Sequence, residues 1–113
     1  MKEIKAYIKP QKLDAVIHAL HGIEGLSGVS AVHGGGVGRS RGKSERHRLE
    51  DELELLAPHV KVEVACRDDL VEEVIAVIQE HARTGRRGDG KIYVSRIDDA
   101  VRIATGERGR SAV

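Results

Sequence analysis

Apolar and charged positions alternate across residues 2–8, KEIKAYI, placing Ile4, Ala6 and Ile8 on one side. A period of two is that of a strand with one buried face, and Pro10 closes it. From Lys12 to Ile23 the period lengthens: Leu13, Val16, Ile17 and Leu20 recur at helical spacing, with Gly22 and Gly25 as breakers near the end. Residues 27–33, SGVSAVH, predict a second extended segment that leads into GGGVG at 34–38, a loop whose glycines reach backbone conformations closed to other residues. The next stretch, RSRGKSERHRLEDELELL, is basic first and acidic afterwards. Little of it can be buried without pairing, so it reads as an exposed excursion.

Alternation returns at Val60, Val62, Val64 and Cys66, interleaved with Lys61, Glu63 and Ala65, and predicts another strand. Asp68 and Asp69 suit the start of a helix, where carboxylates cap free N–H groups and meet the positive end of the helix dipole. Val71, Val74, Ile75 and Ile78 then follow at helical spacing. A glycine-rich loop, TGRRGDGK at 84–91, precedes the strand-like IYVSRI at 92–97, and a last apolar pair, Val101 and Ile103, precedes TGERG. The order is strand, helix, strand, long loop, strand, helix, strand. It suits a ferredoxin-like α+β sandwich (βαββαβ), in which a mostly antiparallel sheet is covered on one face by two helices.

A length of 113 residues fits one domain, 1–113, with one modest core. With Trp and Phe absent, that core must be assembled from Val, Ile, Leu and Ala, and small cores of this kind often gain stability by oligomerising. A formal charge of +1 provides no global field for nucleic acid or an anionic membrane, so any anion site has to be local. The single Cys66 cannot form an intrachain disulfide, and no apolar run approaches the roughly 20 residues that span a bilayer. The opening MKEIKAYIKP lacks the apolar stretch of a signal peptide, which leads to the expectation of a cytoplasmic protein.

The sharpest local chemistry lies in Gly85-Arg86-Arg87-Gly88-Asp89-Gly90-Lys91, where backbone amides and cations are concentrated. Successive N–H groups can cradle an anion and Lys91 can add a point charge to a phosphate; the same residues also make an ordinary helix-to-strand turn with solvated charges. Gly34-Gly35-Gly36-Val37-Gly38-Arg39 is not a Walker A loop, because the Gly42-Lys43-Ser44 that imitates its ending follows Gly38 too closely. His18 and His21 can meet on one face of the first helix, but a metal would need further ligands, and surface histidines beside a core stripe are the simpler reading. Cys66 falls on a buried-face period and reads as a small core hydrophobe. The pairs Asp68–Asp69 and Asp98–Asp99 are adjacent, as at helix or turn starts. No nucleophile elbow and no acid/base couple assembles, so the chain does not read as an enzyme.

Together, KEIKAYIKPQKLDAVIHAL, GVGRSRG, KVEVACRDDLVEEVIAVI and TGRRGDGKIYVSRIDDAVRIATGE resemble, over nearly the whole chain and in the same order, the PII signalling family of nitrogen-regulatory proteins. The TGxxGDGKI segment with a VRIxTGE ending is the most specific part. The resemblance implies a homotrimer of ferredoxin-like protomers that binds ATP, ADP or AMP as ligand, with no cofactor, in clefts between subunits. It also implies control of a partner protein, such as a membrane transporter, through a T-loop at about 38–56, with a B-loop at 84–91 and a C-loop at 103–110. Nucleotide-binding positions carried over by the motifs are Ile8, Ser30, Gly36, Val37, Gly38, Arg39, Ala65, Gly88, Asp89, Gly90, Lys91 and Arg102. Ser30 stands for a threonine hydroxyl facing the adenine, the backbone of Ala65 would meet the base, and Arg39 and Arg102 would reach phosphate.

Departures from the family pattern matter as well. Ser40 stands where nitrogen-sensing members carry a glutamine that helps hold magnesium and 2-oxoglutarate, and His59 where they carry a lysine that pairs with the oxoacid. Ala104 replaces a second phosphate-binding arginine, which leads to the expectation that ADP or AMP is preferred over ATP. Glu52 occupies the uridylylation position and Glu50 that of a phosphorylated serine, so neither modification is chemically available there. The alternatives are a bicarbonate- or metal-responsive PII-like trimer, in which His47 or His59 of several subunits converge, and a slow nucleotidase.

Overall fold

In the computed structural model, residues 1–36 and 57–113 are described. The expected order is realised: β1 (Lys2–Ile8), α1 (Leu13–His21), β2 (Ser30–Gly36), β3 (Ala57–Cys66), α2 (Val71–Ala82) and β4 (Lys91–Arg96). One sheet in the order β2-β3-β1-β4 contains these four strands, and each pairing is antiparallel. Both central strands alternate as the sequence predicts. Ile4, Ala6 and Ile8 of β1 lie opposite Val64, Val62 and Val60 of β3, and all six are buried. Val16 and Leu20 of α1, Ile23 after it, Leu70, and Val71, Val74, Ile78 and Ala82 of α2 complete the core with Cys66, whose thiol is free. Burying each such Val, Ile or Leu contributes about 2 kcal/mol, and the compatible periods of strand and helix put them all on one side of the sheet. Burial also pushes the Cys66 thiol above its usual range, as suits a core hydrophobe.

Differences from the sequence expectation sit at element ends. Pro10–Lys12 form a single 3-10 turn before α1, because Pro10 cannot donate into a preceding turn and fixes its own φ. β2 starts at Ser30 and runs through Gly34, Gly35 and Gly36, which pair with His59, Pro58 and Ala57, so these glycines belong to a strand and not to a loop. Asp68 and Asp69 enter a 3-10 turn, Asp68–Leu70, without a capping hydrogen bond. Instead, Asp68 Oδ1 accepts from the α-amino group of Met1 at 2.8 Å and Asp69 pairs with Arg67 at 3.3 Å. The charged α-amino group takes the Asp68 carboxylate in place of a local N–H, and that bond is the chief cause that holds Asp68 below its usual pKa.

Glu3, Lys5 and Tyr7 of β1, Lys61 and Glu63 of β3, and Lys91, Tyr93 and Ser95 of β4 share the sheet face opposite the core. Charge pairs lace it, Lys61–Glu63 at 3.0 Å and Lys5–Glu3 at 3.6 Å.

Candidate functional site

At one end of the sheet, α2 stops where Arg83 turns extended, and residues 84–90 cross to β4. Gly85, Gly88 and Gly90 in this loop all have φ near +80° or above. Gly90 is the demanding position: a Cβ there would stand 1.6 Å from the Tyr7 carbonyl oxygen, so the loop can lie against the end of β1 only without a side chain.

Asp89 is the hub of the loop. Its Oδ2 accepts from the amides of Thr84 at 2.9 Å and Gly85 at 3.0 Å, and its Oδ1 accepts from the Thr84 hydroxyl and lies 3.2 Å from Lys9 Nζ. Lys9 Nζ also donates to Thr84 Oγ1 at 3.0 Å, and the Arg86 amide donates to the same oxygen at 3.1 Å. Hydrogen bonds from the Thr84 hydroxyl and amide, then Lys9 and the Gly85 amide, hold the Asp89 carboxyl far below the usual carboxylate range.

Two clefts flank this loop and share Tyr7, Ile8, Gly90 and Lys91. One, of about 450 Å³, has apolar walls from Ile8, Ile78, Ala82 and Ile92, with Gln79, Arg83, Asp89 and Lys91 as its polar groups. The other, of about 350 Å³, joins the loop to the root of β2 and β3: Gly88, Gly90 and Lys91 meet Gly36, Ala57, Pro58 and His59. Tyr7 supports it, with its ring edge-on to His59 at 5.3 Å and to Tyr93 at 6.1 Å. The His59 ring covers Gly36, where a Cβ would approach it to 3.1 Å. Apolar walls with a few amides and cations suit a planar organic ligand carrying an anion.

Of the residues singled out in the sequence, Ile8, Gly36, Gly88, Gly90 and Lys91 therefore converge on the smaller cleft, and Asp89 lies in the wall of the larger one. Ser30 and Ala65 do not join them. Ser30 pairs with Glu63 in the mid-sheet row of Lys5 and Tyr93 but on β2, the edge strand opposite β4, and Ala65 pairs with Glu3 toward the other end of the sheet. Arg102 is exposed, with its guanidinium 3.4 Å from Glu107. Val37, Gly38, Arg39, Ser40, His47, Glu50 and Glu52 lie outside the described residues. Sequence reading assigns no role to Lys9, Tyr7, Tyr93 or Thr84, although Thr84 heads the TGxxGDGKI segment. The spacing of Thr84 from Asp89 is a signal of a side-chain-closed turn, whereas nothing local points to Lys9. Among the described residues, no group of three or more His, Cys, Asp or Glu side chains could hold a metal ion.

Comparison with known proteins identifies the family. The family profile described as nitrogen regulatory protein P-II matches residues 1–107. The chain is 47% identical over 113 residues to the nitrogen regulatory protein P-II of Bradyrhizobium diazoefficiens and 49% identical to that of Rhodospirillum rubrum, covering all of each protein. A crystal structure of Arabidopsis thaliana PII bound to citrate is similar at a TM-score of 0.81 and 34% identity, over 99% of this chain and 91% of that one. The chain therefore belongs to the nitrogen regulatory protein P-II family.

Proposed function

We propose that this protein is a homotrimeric regulator that binds an adenine nucleotide, ADP, AMP or ATP, at its subunit boundaries. In this reading it controls a partner protein, such as a membrane transporter, through a T-loop at about 38–56, and it is not an enzyme. The observation that carries the reading is the convergence of Ile8, Gly36, Gly88, Gly90 and Lys91, from separate parts of the chain, on one cleft. An apolar wall for a base, loop glycines and an ammonium form a sensible recognition set for a nucleotide.

The trimer has its own support. Of the positions assigned to the base, Ala65 stands toward the far end of the sheet from Lys91 and Ser30 lies on β2, the edge strand opposite β4, so one chain does not bring them around a single nucleotide. A second copy whose β2 edge and Ala65 row face the Lys91 end of the first resolves that separation, and a head-to-tail contact of this type forms a ring where its rotation closes. Exposed Tyr93, Val94, Val101 and Ile103, the last fully exposed in the single chain, provide apolar area for such contacts.

Isothermal titration with ATP, ADP and AMP tests the reading. The expected result is saturation near one nucleotide per chain, with ADP or AMP tighter than ATP, and a loss of about tenfold or more in Lys91→Ala, the size of one charge-assisted contact. Absence of saturable binding to all three overturns the nucleotide reading, and tighter ATP overturns the preference. Phosphate release above a buffer blank, abolished in Lys91→Ala, would establish the nucleotidase alternative.

A further inference from the structure

Asp89 poses an electrostatic problem. It lies in a loop that carries Arg86, Arg87 and Lys91 beside a cleft suited to an anion, where a carboxylate would repel the ligand. Its oxygens, however, are engaged within the loop. Oδ2 takes the amides of Thr84 and Gly85, and Oδ1 takes the Thr84 hydroxyl and the ammonium of Lys9. Lys9 follows directly on β1, so this ion pair fastens the loop to the strand whose Tyr7 carbonyl packs against Gly90. The Asp89 and Lys9 side chains are 26% and 19% exposed, sheltered enough for the pair to resist screening better than surface ion pairs do. With the amides of Thr84, Gly85 and Arg86 satisfied internally, Gly88 and Gly90 are the loop glycines left at the smaller cleft.

We propose that Lys9, Thr84 and Asp89 form a positioning clasp that holds the 84–91 loop in its anion-receiving shape, so that Asp89 favours binding of a nucleotide phosphate despite its own negative charge. The identity of the ligand rests on the nucleotide reading above; the clasp itself rests on the hydrogen bonds. Lys9, although it lines the smaller cleft, acts through Asp89 and Thr84 and not as a phosphate ligand.

Coulombic reasoning and the clasp make opposite predictions for Asp89→Asn. Removing a carboxylate beside an anion site should tighten binding if Asp89 acts only through its charge. The clasp predicts that ADP affinity, measured by titration calorimetry, falls by about tenfold, the size of one charge-assisted hydrogen bond. Thr84→Val should follow Asp89→Asn, Thr84→Ser should bind like the parent because it keeps the hydroxyl, and Lys9→Met combined with Asp89→Asn should be no worse than Asp89→Asn alone. Trypsin provides a readout without nucleotide: cutting after Arg86 or Arg87 of the folded protein should be faster in Asp89→Asn and Thr84→Val than in the parent and Thr84→Ser. Equal or tighter ADP binding by Asp89→Asn, or unchanged cutting in both variants, overturns the clasp. If the parent protein binds no nucleotide, the nucleotide reading falls, and the trypsin comparison still decides the clasp.

Discussion

Two segments of this protein are closed by an aspartate, and they are closed differently. In the 84–91 loop, Asp89 gathers Thr84, Gly85 and, from the far end of the sequence, Lys9. In the segment after β4, Asp99 pairs with Arg108, a bridge joins Val101 to Arg108, and Gly106 and Gly109 donate back to Arg102 and Ala100 at 2.7 and 2.9 Å. Every one of these partners is local in sequence and none is buried; the Asp99 and Arg108 side chains are 42% and 69% exposed. The first loop is fixed by the rest of the fold, whereas the second is a self-contained turn. Shape that depends on distant contacts is lost cooperatively with them, while a local turn can open by itself.

Glycines offer the strongest way to break the comparison. Gly90 and Gly106 both have positive φ, +97° and +74°, so any side chain is strained at either. Around Gly106 nothing lies within 4 Å of an added Cβ, whereas at Gly90 the Tyr7 carbonyl stands in its place. Gly90→Ala is expected to destabilise by at least about 3 kcal/mol, since backbone strain and overpacking add. Gly106→Ala should lose about 1 kcal/mol, the strain alone. Urea unfolding at matched protein concentration measures both, because subunit association would otherwise shift the midpoints. Equal losses would mean that the 84–91 loop is no more tightly anchored than the C-terminal turn.

Acid sharpens the same contrast. Asp89 is held far below the usual carboxylate range, mainly by the Thr84 hydroxyl and amide; Asp99 is lowered too, mainly by Arg108. A carboxylate whose folded pKa is depressed adds stability that is fully present above its unfolded pKa of about 3.9 and is lost as pH falls toward the folded value. Melting temperature should therefore drop by several degrees as pH falls below about 4, and Asp89→Asn should flatten that drop more than Asp99→Asn does. At neutral pH, Asp89→Asn should already melt lower than the parent. A steeper acid dependence in Asp89→Asn would reverse the sign and refute the assignment of Asp89 as an ionised acceptor in the folded state.

These expectations also show which parts of the molecule its sequence makes legible. The core faces of β1 and β3 are readable because Ile4, Ala6 and Ile8 obey the same period as Val60, Val62 and Val64, and burial enforces that period. Element ends are less so. Glycines 34–36 read as loop because their propensity is poor, yet pairing with His59, Pro58 and Ala57 outweighs propensity. Asp68 looks like a cap until Met1 arrives from the other end of the chain. Within the candidate site, Gly88, Gly90 and Lys91 are marked by motif, while Lys9 and Tyr7 matter only because β1 passes beneath the loop, a relation between distant segments that no local pattern encodes.

The smallest expected effect tests the other side of the comparison. Arg102 and Glu107 approach to 3.4 Å with side chains 49% and 42% exposed, and the Arg102 amide donates to the Glu107 carbonyl at 2.9 Å. Exposed pairs of this kind contribute about 0.5 kcal/mol, whereas the backbone bonds of the turn do not depend on the carboxylate. Glu107→Gln should therefore change the unfolding free energy by no more than about 0.5 kcal/mol, and that change should vanish in high salt. The same substitution releases the Arg102 guanidinium, so if Arg102 reaches phosphate it should leave ADP binding unchanged or slightly tighter in calorimetry. A large stability loss in Glu107→Gln would show that the C-terminal turn is wired into the fold as firmly as the 84–91 loop, and weaker ADP binding would show that the ion pair aims Arg102 at its ligand instead of restraining it.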